Sequence, residues 1–243
     1  MKQSLFEILS NENIAKDIYK MVLKGDTSAI TAPGQFINIK IDGFFLRRPI
    51  SVCDYNSENV TIIYKVVGNG TEVMANMKIG EKLDILSGLG NGFDTSKSGK
   101  TPVLIGGGVG VPPMYNLCKV LINERKNVKV ILGFNSADDV FYENEFKALG
   151  ADVYVATADG SYGTKGFVTD VLKDIDYSYF YTCGPIPMFK AIENIAKTSG
   201  QYSFEERMGC GFGACMGCSC KTKYKNIRIC KDGPVLEREV IVW

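Results

Sequence analysis

The sequence predicts a multi-domain chain of class β + α/β: an N-terminal antiparallel β-barrel over 1–98, an α/β domain with a parallel sheet over 99–200, and a small cysteine-bearing lobe over 201–243. Three observations carry that prediction. Short β-type runs separated by turns fill the first part, strand-like and helix-like stretches alternate in the second, and five of the eight cysteines crowd between residues 210 and 230.

In the first part, QFINIKI (35–41), ENVTIIYKVV (58–67) and EKLDIL (81–86) alternate or carry β-branched residues. APG, GNG and SGLGNG punctuate them, the spacing of a small barrel. From Thr101 the rhythm changes. PVLIGGG, NVKVILGF, ADVYVAT and YSYFYTCG read as apolar strands, and PPMYNLCKVLINE, VFYENEFKAL, FVTDVLKDI and PMFKAIENIAKT as the helices that follow them. Such alternation builds a parallel sheet with helical crossovers. After Gly200 the alternation ends.

Composition narrows the function classes. Apolar residues make up 45% of the chain and the net charge is +1, so no basic stripe points to a nucleic acid. No apolar run reaches the roughly 18 residues of a membrane span. Glu7 and Glu12 interrupt the start where a secretory core would be apolar, and a cytoplasmic chain with reduced thiols is expected. Histidine is absent altogether. An enzyme of this composition relies on other acids and bases or lets a cofactor carry the chemistry.

The cysteine spacing is C-x4-C-x2-C from Cys210 through Cys215 to Cys218, then eleven residues to Cys230. Structural zinc usually pairs two C-x2-C knuckles, and disulfides do not suit reduced thiols. The pattern matches plant-type [2Fe–2S] ligation, with Cys210, Cys215, Cys218 and Cys230 as ligands and Cys220 spare. Gly209, Gly211, Gly213, Ala214 and Gly217 let the backbone wrap an anionic cluster closely. Cys53 and Cys118 read as small buried hydrophobes, and Cys183 does so unless a ligand approaches it.

GGGVGVPPM (106–114) follows an apolar strand and opens a helix, with Pro112 and Pro113 suited to its first turn. It lacks the spacing of the Rossmann fingerprint, so phosphate binding and a plain tight turn both stay open. YTCGPIPM (181–188) sets a second Gly-Pro turn at the same sheet edge, where open α/β sheets take ligands.

Together RRPIS (47–51), YKVVGNGT (64–71), LIGGGVGVPPM, YTCGPIPM and the cysteine tail resemble, in order, the ferredoxin reductase-like flavoproteins. Among them the chain most resembles the electron-transfer subunits of NAD-dependent, two-subunit (B-type) dihydroorotate dehydrogenases. The resemblance implies that Arg48, Pro49, Ile50 and Ser51 bind FAD, with Arg48 near the pyrophosphate. It implies a second FAD stretch at Ile63, Tyr64 and Lys65, and a phosphate turn at Gly70 and Thr71. Gly106, Gly107, Gly108 and Gly110 resemble the nicotinamide-dinucleotide turn, and Cys183, Gly184 and Pro185 the corner beside the nicotinamide. Glu205 and Arg207 lie on the approach to the cluster, where the bland reading is a surface pair.

The implied partner is an FMN-bearing catalytic subunit that oxidises dihydroorotate, assembled as a heterotetramer of two chains of each kind. Asp138 and Asp139, with no arginine nearby, favour NAD over NADP. A rival within the superfamily is the small FAD/[2Fe–2S] subunit of an NADPH–ferredoxin transhydrogenase or sulfide dehydrogenase, which usually has an aspartate among its cluster ligands. A non-enzymatic, cluster-based redox sensor would need neither of the two glycine turns.

Overall fold

The computed structural model describes residues 1–243. Six strands close the barrel: β1 (Lys2–Ala15), β2 (Ile18–Lys24), β3 (Phe36–Ile39), β4 (Arg48–Tyr55), β5 (Asn59–Lys65) and β6 (Lys82–Leu89), in the order β1-β2-β5-β4-β3-β6. Every pair is antiparallel. Helix α1 (Asn69–Asn76) plugs one end with Met74, which is fully buried. The period-2 rule assigns the two faces of each strand. Ile37, Ile39, Val52, Ile62 and Tyr64 point into the barrel core. Phe36, Cys53 and Ile63 point outward and join the cores of the second domain.

The second domain holds β7 (Pro102–Gly107), α2 (Pro112–Asn123), β8 (Lys129–Phe134), α3 (Glu143–Leu149), β9 (Asp152–Thr157), β10 (Thr164–Lys165), α4 (Val168–Leu172), β11 (Tyr179–Cys183), α5 (Ile186–Ile195) and β12 (Gly200–Ser203). After β12 come β13 (Ser219–Lys221), β14 (Asn226–Arg228), the one-turn α6 (Ile229–Asp232) and β15 (Val235–Glu237). The large sheet has seven strands in the order β10-β9-β8-β7-β11-β12-β15, and only β15 runs antiparallel. The order reverses between β7 and β11, so the crevice of the switch point opens at their C-terminal ends.

Residue 200 is not a break in packing. β12 and β15 both belong to the large sheet, and Phe204, Cys218, Ile227, Ile229 and Cys230 share one apolar core with Val103, Ile105 and Phe180 of that sheet. Tyr202 explains the junction. Its buried ring meets Phe180, Phe189 and Trp243 edge-on, a cluster that ties the tail to β11 and α5.

The second face of the sheet packs on the barrel. Asp54 of β4 accepts from Asn116 Nδ2 at 2.7 Å and from Lys119 Nζ at 2.9 Å, both on α2. Barrel and sheet are thereby joined through the helix that follows the glycine turn.

Candidate functional site

The two glycine turns meet. In the β7–β11 ladder Cys183 lies opposite Gly106, and Gly110 sits so close to the next peptide that an added Cβ would stand 2.2 Å from the Cys183 carbonyl oxygen. Between the turns and the barrel lies a cavity of about 610 Å³. Gly107, Gly108, Gly110, Gly184 and Pro185 form its floor, and Ile18 and Lys65 of the barrel form one wall. Gly108 has φ +53 and nothing within 4 Å of where a side chain would project, so its backbone is open to an approaching phosphate. Asn135 and Asp139 line the far end. Asp139 accepts from Ser136 Oγ at 3.2 Å, which leaves a carboxylate placed to accept from a ribose hydroxyl and to repel a 2′-phosphate.

Two predicted residues do not face this cavity. Gly106 has Val111 Cα 2.8 Å from its would-be Cβ, so it serves close packing of strand on helix. The Cys183 side chain is 1% exposed and belongs to the core beneath the corner. Burial first, and the Glu205 carboxylate second, push its thiol far above the usual range, so it stays a neutral thiol at neutral pH. Gly184 and Pro185 form the corner surface instead.

The FAD residues divide in the same way. Arg48 stands at the barrel mouth with its guanidinium 4.5 Å from the Phe44 ring centroid and against Gly70, where a Cβ would lie 2.2 Å from its Nε. It donates to the Leu46 carbonyl and makes no salt bridge. An uncompensated guanidinium at the N-terminus of α1, where peptide N–H groups are unpaired, suits a pyrophosphate. A side chain at Gly70 would displace the guanidinium from this position. Pro49 and Ser51 project outward, level with Asn38 and Phe36 of β3, whereas Ile50 packs into the barrel.

The Tyr64 side chain faces into the barrel. Its ring is stacked 5.9 Å from Tyr19, and its hydroxyl donates to Asn11 Oδ1 at 3.0 Å. Burial holds the phenol protonated. The alternation that turns Ile63 and Lys65 outward turns Tyr64 inward, so only its peptide can touch an external ligand. Thr71 is also occupied: its Oγ1 accepts from Val67 N at 3.0 Å and donates to Gly68 O at 2.9 Å, closing the turn that presents Gly70.

The four cysteines form two neighbouring pairs. Cys210 Sγ accepts from the peptides of Ala214 at 3.2 Å and Cys215 at 3.4 Å, and Cys215 Sγ accepts from Gly217 N at 3.4 Å. Cys218 Sγ accepts from Cys230 N at 3.4 Å. Burial opposes ionisation of Cys210, but the N–H groups of Cys215 and Phe212, with the Cys215 thiol and Ala214 N–H, outweigh it and bring the thiol down to about 6. Burial, then the Cys218 thiol, pushes Cys230 up to about 12.

Two pairs, each able to hold one iron through two thiolates, suit a binuclear cluster, and the N–H groups directed at sulfur suit its negative charge. Cys220 lies apart on β13, half-buried, with its thiol against the Lys221 carbonyl at 3.7 Å.

Sequence reasoning singled out Glu205 without its place in the cavity, and missed Asn38. Glu205 is not paired with Arg207. It lines the rim of the cavity beside Gly184, exposed there, and partial loss of hydration raises its carboxyl above the ordinary range. Asn38 holds the cluster loop against β3: its Nδ2 donates to the Cys210 carbonyl at 3.1 Å. One signal was available for it, a lone amide in the apolar run FINI.

Comparison with known proteins defines first a class. The family described as "Oxidoreductase NAD-binding domain" matches residues 104–194, and "Iron-sulfur cluster binding domain of dihydroorotate dehydrogenase B" matches residues 205–242. A solved structure of an NADH-dependent reduced ferredoxin–NADP oxidoreductase, reported for flavin-based electron bifurcation, superposes with a TM-score of 0.88 at 28% identity, covering 99% of this chain and 90% of that one. The ferredoxin reductase of a carbazole 1,9a-dioxygenase shares the fold, with a TM-score of 0.70 at 22% identity over 80% of this chain and 65% of that one. The chain is thus an oxidoreductase with ferredoxin reductase-like architecture and an iron–sulfur tail.

The curated relatives are more specific. The electron transfer subunit of dihydroorotate dehydrogenase B (NAD(+)) from Fusobacterium nucleatum is 50% identical, with 93% of each chain covered. The same subunit from Bacillus velezensis is 47% identical, with 99% of each covered. The chain belongs to the family of electron transfer subunits of NAD-dependent dihydroorotate dehydrogenase B.

Proposed function

We propose that this chain carries electrons between an FMN-bearing catalytic subunit, which oxidises dihydroorotate to orotate, and NAD, using FAD on the barrel and a [2Fe–2S] cluster on the tail. The observation that carries this reading is that the cysteine loop and the two glycine turns both border the outer surface of the barrel: Asn38 of β3 meets the Cys210 carbonyl, and Ile18 of β2 and Lys65 of β5 line the cavity over the glycine turns. When bound, FAD exchanges a hydride with nicotinamide and single electrons with the cluster, so the protein supplies no acid or base for the transfer.

The residues supply binding and orientation. Arg48 and the peptides around Gly70 bind the FAD pyrophosphate, and Ser51 orients the ring edge from the outer face of β4. Gly107, Gly108 and Gly110 admit the NAD pyrophosphate, Gly184 and Pro185 seat the nicotinamide, and Asp139 takes the adenosine ribose. Cys210, Cys215, Cys218 and Cys230 would hold the cluster. Phe212 and Met216, both exposed beside the cysteines, form the apolar contact with the catalytic subunit in a cytoplasmic heterotetramer of two chains of each kind.

The likeness to the NADH-dependent reduced ferredoxin–NADP oxidoreductase, at a TM-score of 0.88, supports a second reading as the small subunit of a transhydrogenase. Four cysteines where that group usually has an aspartate weigh against it, as does Asp139. The experiment is anaerobic co-purification with the partner chain, followed by assay with dihydroorotate and NAD. Orotate formation coupled to NADH is expected, with bleaching of the flavin by NADH. A preference for NADPH and no response to dihydroorotate would transfer the chain to the second reading.

A further inference from the structure

Asn38 is a buried polar residue in an otherwise apolar strand. It is 1% exposed between Ile37 and Ile39, both fully buried in the barrel interior. Its own side chain takes the opposite face, toward the tail. There Nδ2 donates to the carbonyl of Cys210, while Oδ1 is buried with no partner. A buried acceptor without a donor is unfavourable, and an aliphatic residue of similar shape would avoid it. Something else therefore favours an amide, and the only bond the side chain makes is the donation to Cys210.

The surroundings fix that donation from both sides. Arg47 Nη1 donates to the main-chain carbonyl of Asn38 at 3.3 Å and to that of Asp84 at 2.8 Å, and Arg47 Nη2 pairs with the Asp84 carboxylate at 3.0 Å, so the backbone bearing the amide is clamped to β6. On the loop side Gly211, at φ +80, lies so close that a Cβ would stand 2.3 Å from Asn38 Nδ2. The loop is thus seated on the amide itself. Across the ladder Asn38 lies opposite Pro49 and Phe36 opposite Ser51, with all four side chains on the outer face. One strand carries the FAD stretch and the adjacent strand carries the seat of the first sulfur ligand.

We propose that Asn38 is the positioning residue that locks the cluster-binding loop onto the wall of the flavin-binding barrel, fixing Cys210 and so the separation of the two redox groups. The inference rests on the reading of the four cysteines as cluster ligands. It requires the donor, not the bulk, of the side chain.

The test uses the full-length holoprotein, purified anaerobically, as wild type, Asn38→Leu, Asn38→Asp and the control Ile37→Ala. Leu keeps the bulk and removes the orphaned acceptor; Asp keeps the shape and removes the donor; Ile37→Ala destabilises the barrel from its other face. Iron release to a chelator, the paramagnetic spectrum of the reduced cluster and thermal unfolding are measured together. For both Asn38 variants iron is expected to leave about tenfold faster, in the range seen when groups that orient metal ligands are lost. Their reduced spectra should be shifted, with Asn38→Leu melting no earlier than wild type. Unchanged release and spectra in both variants would overturn the proposal. So would equal iron loss in Ile37→Ala, because the effect would then follow global stability. A wild type that binds no iron would instead sink the cluster reading.

Discussion

Two glycine-rich turns, residues 106–110 and 209–217, are held in place by different means. At the first, backbone meets backbone: added Cβ atoms at Gly110 and Gly106 would lie 2.2 Å from the Cys183 carbonyl and 2.8 Å from Val111 Cα. Leu104, Val111 and Met114 around it are fully buried. At the second, the neighbours are side chains and sulfur. Gly209 and Gly217 face Cys215 Sγ at 3.1 and 3.4 Å, Gly213 faces Lys231, and Gly211 faces Asn38. Packing of the fold fixes the nucleotide turn before any ligand arrives. The cluster loop is fixed by a few polar contacts and by whatever its sulfurs bind. The lesson is that a glycine-rich motif can be a product of the core or a product of its ligand, and the two respond differently to damage.

The largest expected effect separates them cleanly. Cys215→Ser alters an exposed ligand, so iron should be lost almost entirely while NADH binding and thermal stability of the iron-free chain stay at wild-type level. Loss of NADH binding in that variant would break the distinction. Gly110→Ala attacks the other turn. The new methyl group would meet backbone that cannot yield, with an expected loss of about 3 kcal/mol in denaturant unfolding and weakened NADH binding. Iron per folded chain should be unchanged.

A smaller effect sharpens the picture of the loop without its ligand. In iron-free protein Cys210, brought down to about 6, is mostly thiolate at pH 7, whereas Cys230, pushed up to about 12, is not. Alkylation followed by mass spectrometry should therefore label Cys210 well before Cys230, and labelling of Cys210 should slow as the pH falls below about 6 and its thiolate is protonated. Equal rates at the two positions would contradict the hydrogen-bond geometry of the loop. The smallest effect is expected from Cys220→Ser, which should leave the visible spectrum of the holoprotein unchanged; a colourless product would make Cys220 a ligand.

The same contrast explains what was legible in the sequence. Core-built features announce themselves through periodicity, so β7, β8, β9 and β11 and the helices after them were readable. So was the cysteine spacing, since cluster geometry constrains the chain directly. The alternation of VTIIYK turns the Tyr64 side chain inward as a barrel aromatic; its place in an FAD stretch came from the family resemblance, not from the pattern. The hairpin of β1 and β2 was hidden by SNEN and KD, polar interruptions that fall where β1 has run past β6 and pairs with β2 alone before turning. β12 and β15 are four and three residues long and pair across the whole cluster segment, a non-local match that no window of sequence contains. The lone amide of Asn38 in FINI was visible, but its contact was not, for a related reason: its partner, Cys210, is 172 positions away.

The central claim is that the two cysteine pairs hold a binuclear cluster. The most direct measurement is metal content and low-temperature paramagnetic resonance of the chain purified without exposure to air. The account predicts about two irons per chain and a signal that appears only on reduction. A single bound zinc, or no iron and no signal after dithionite, would contradict it.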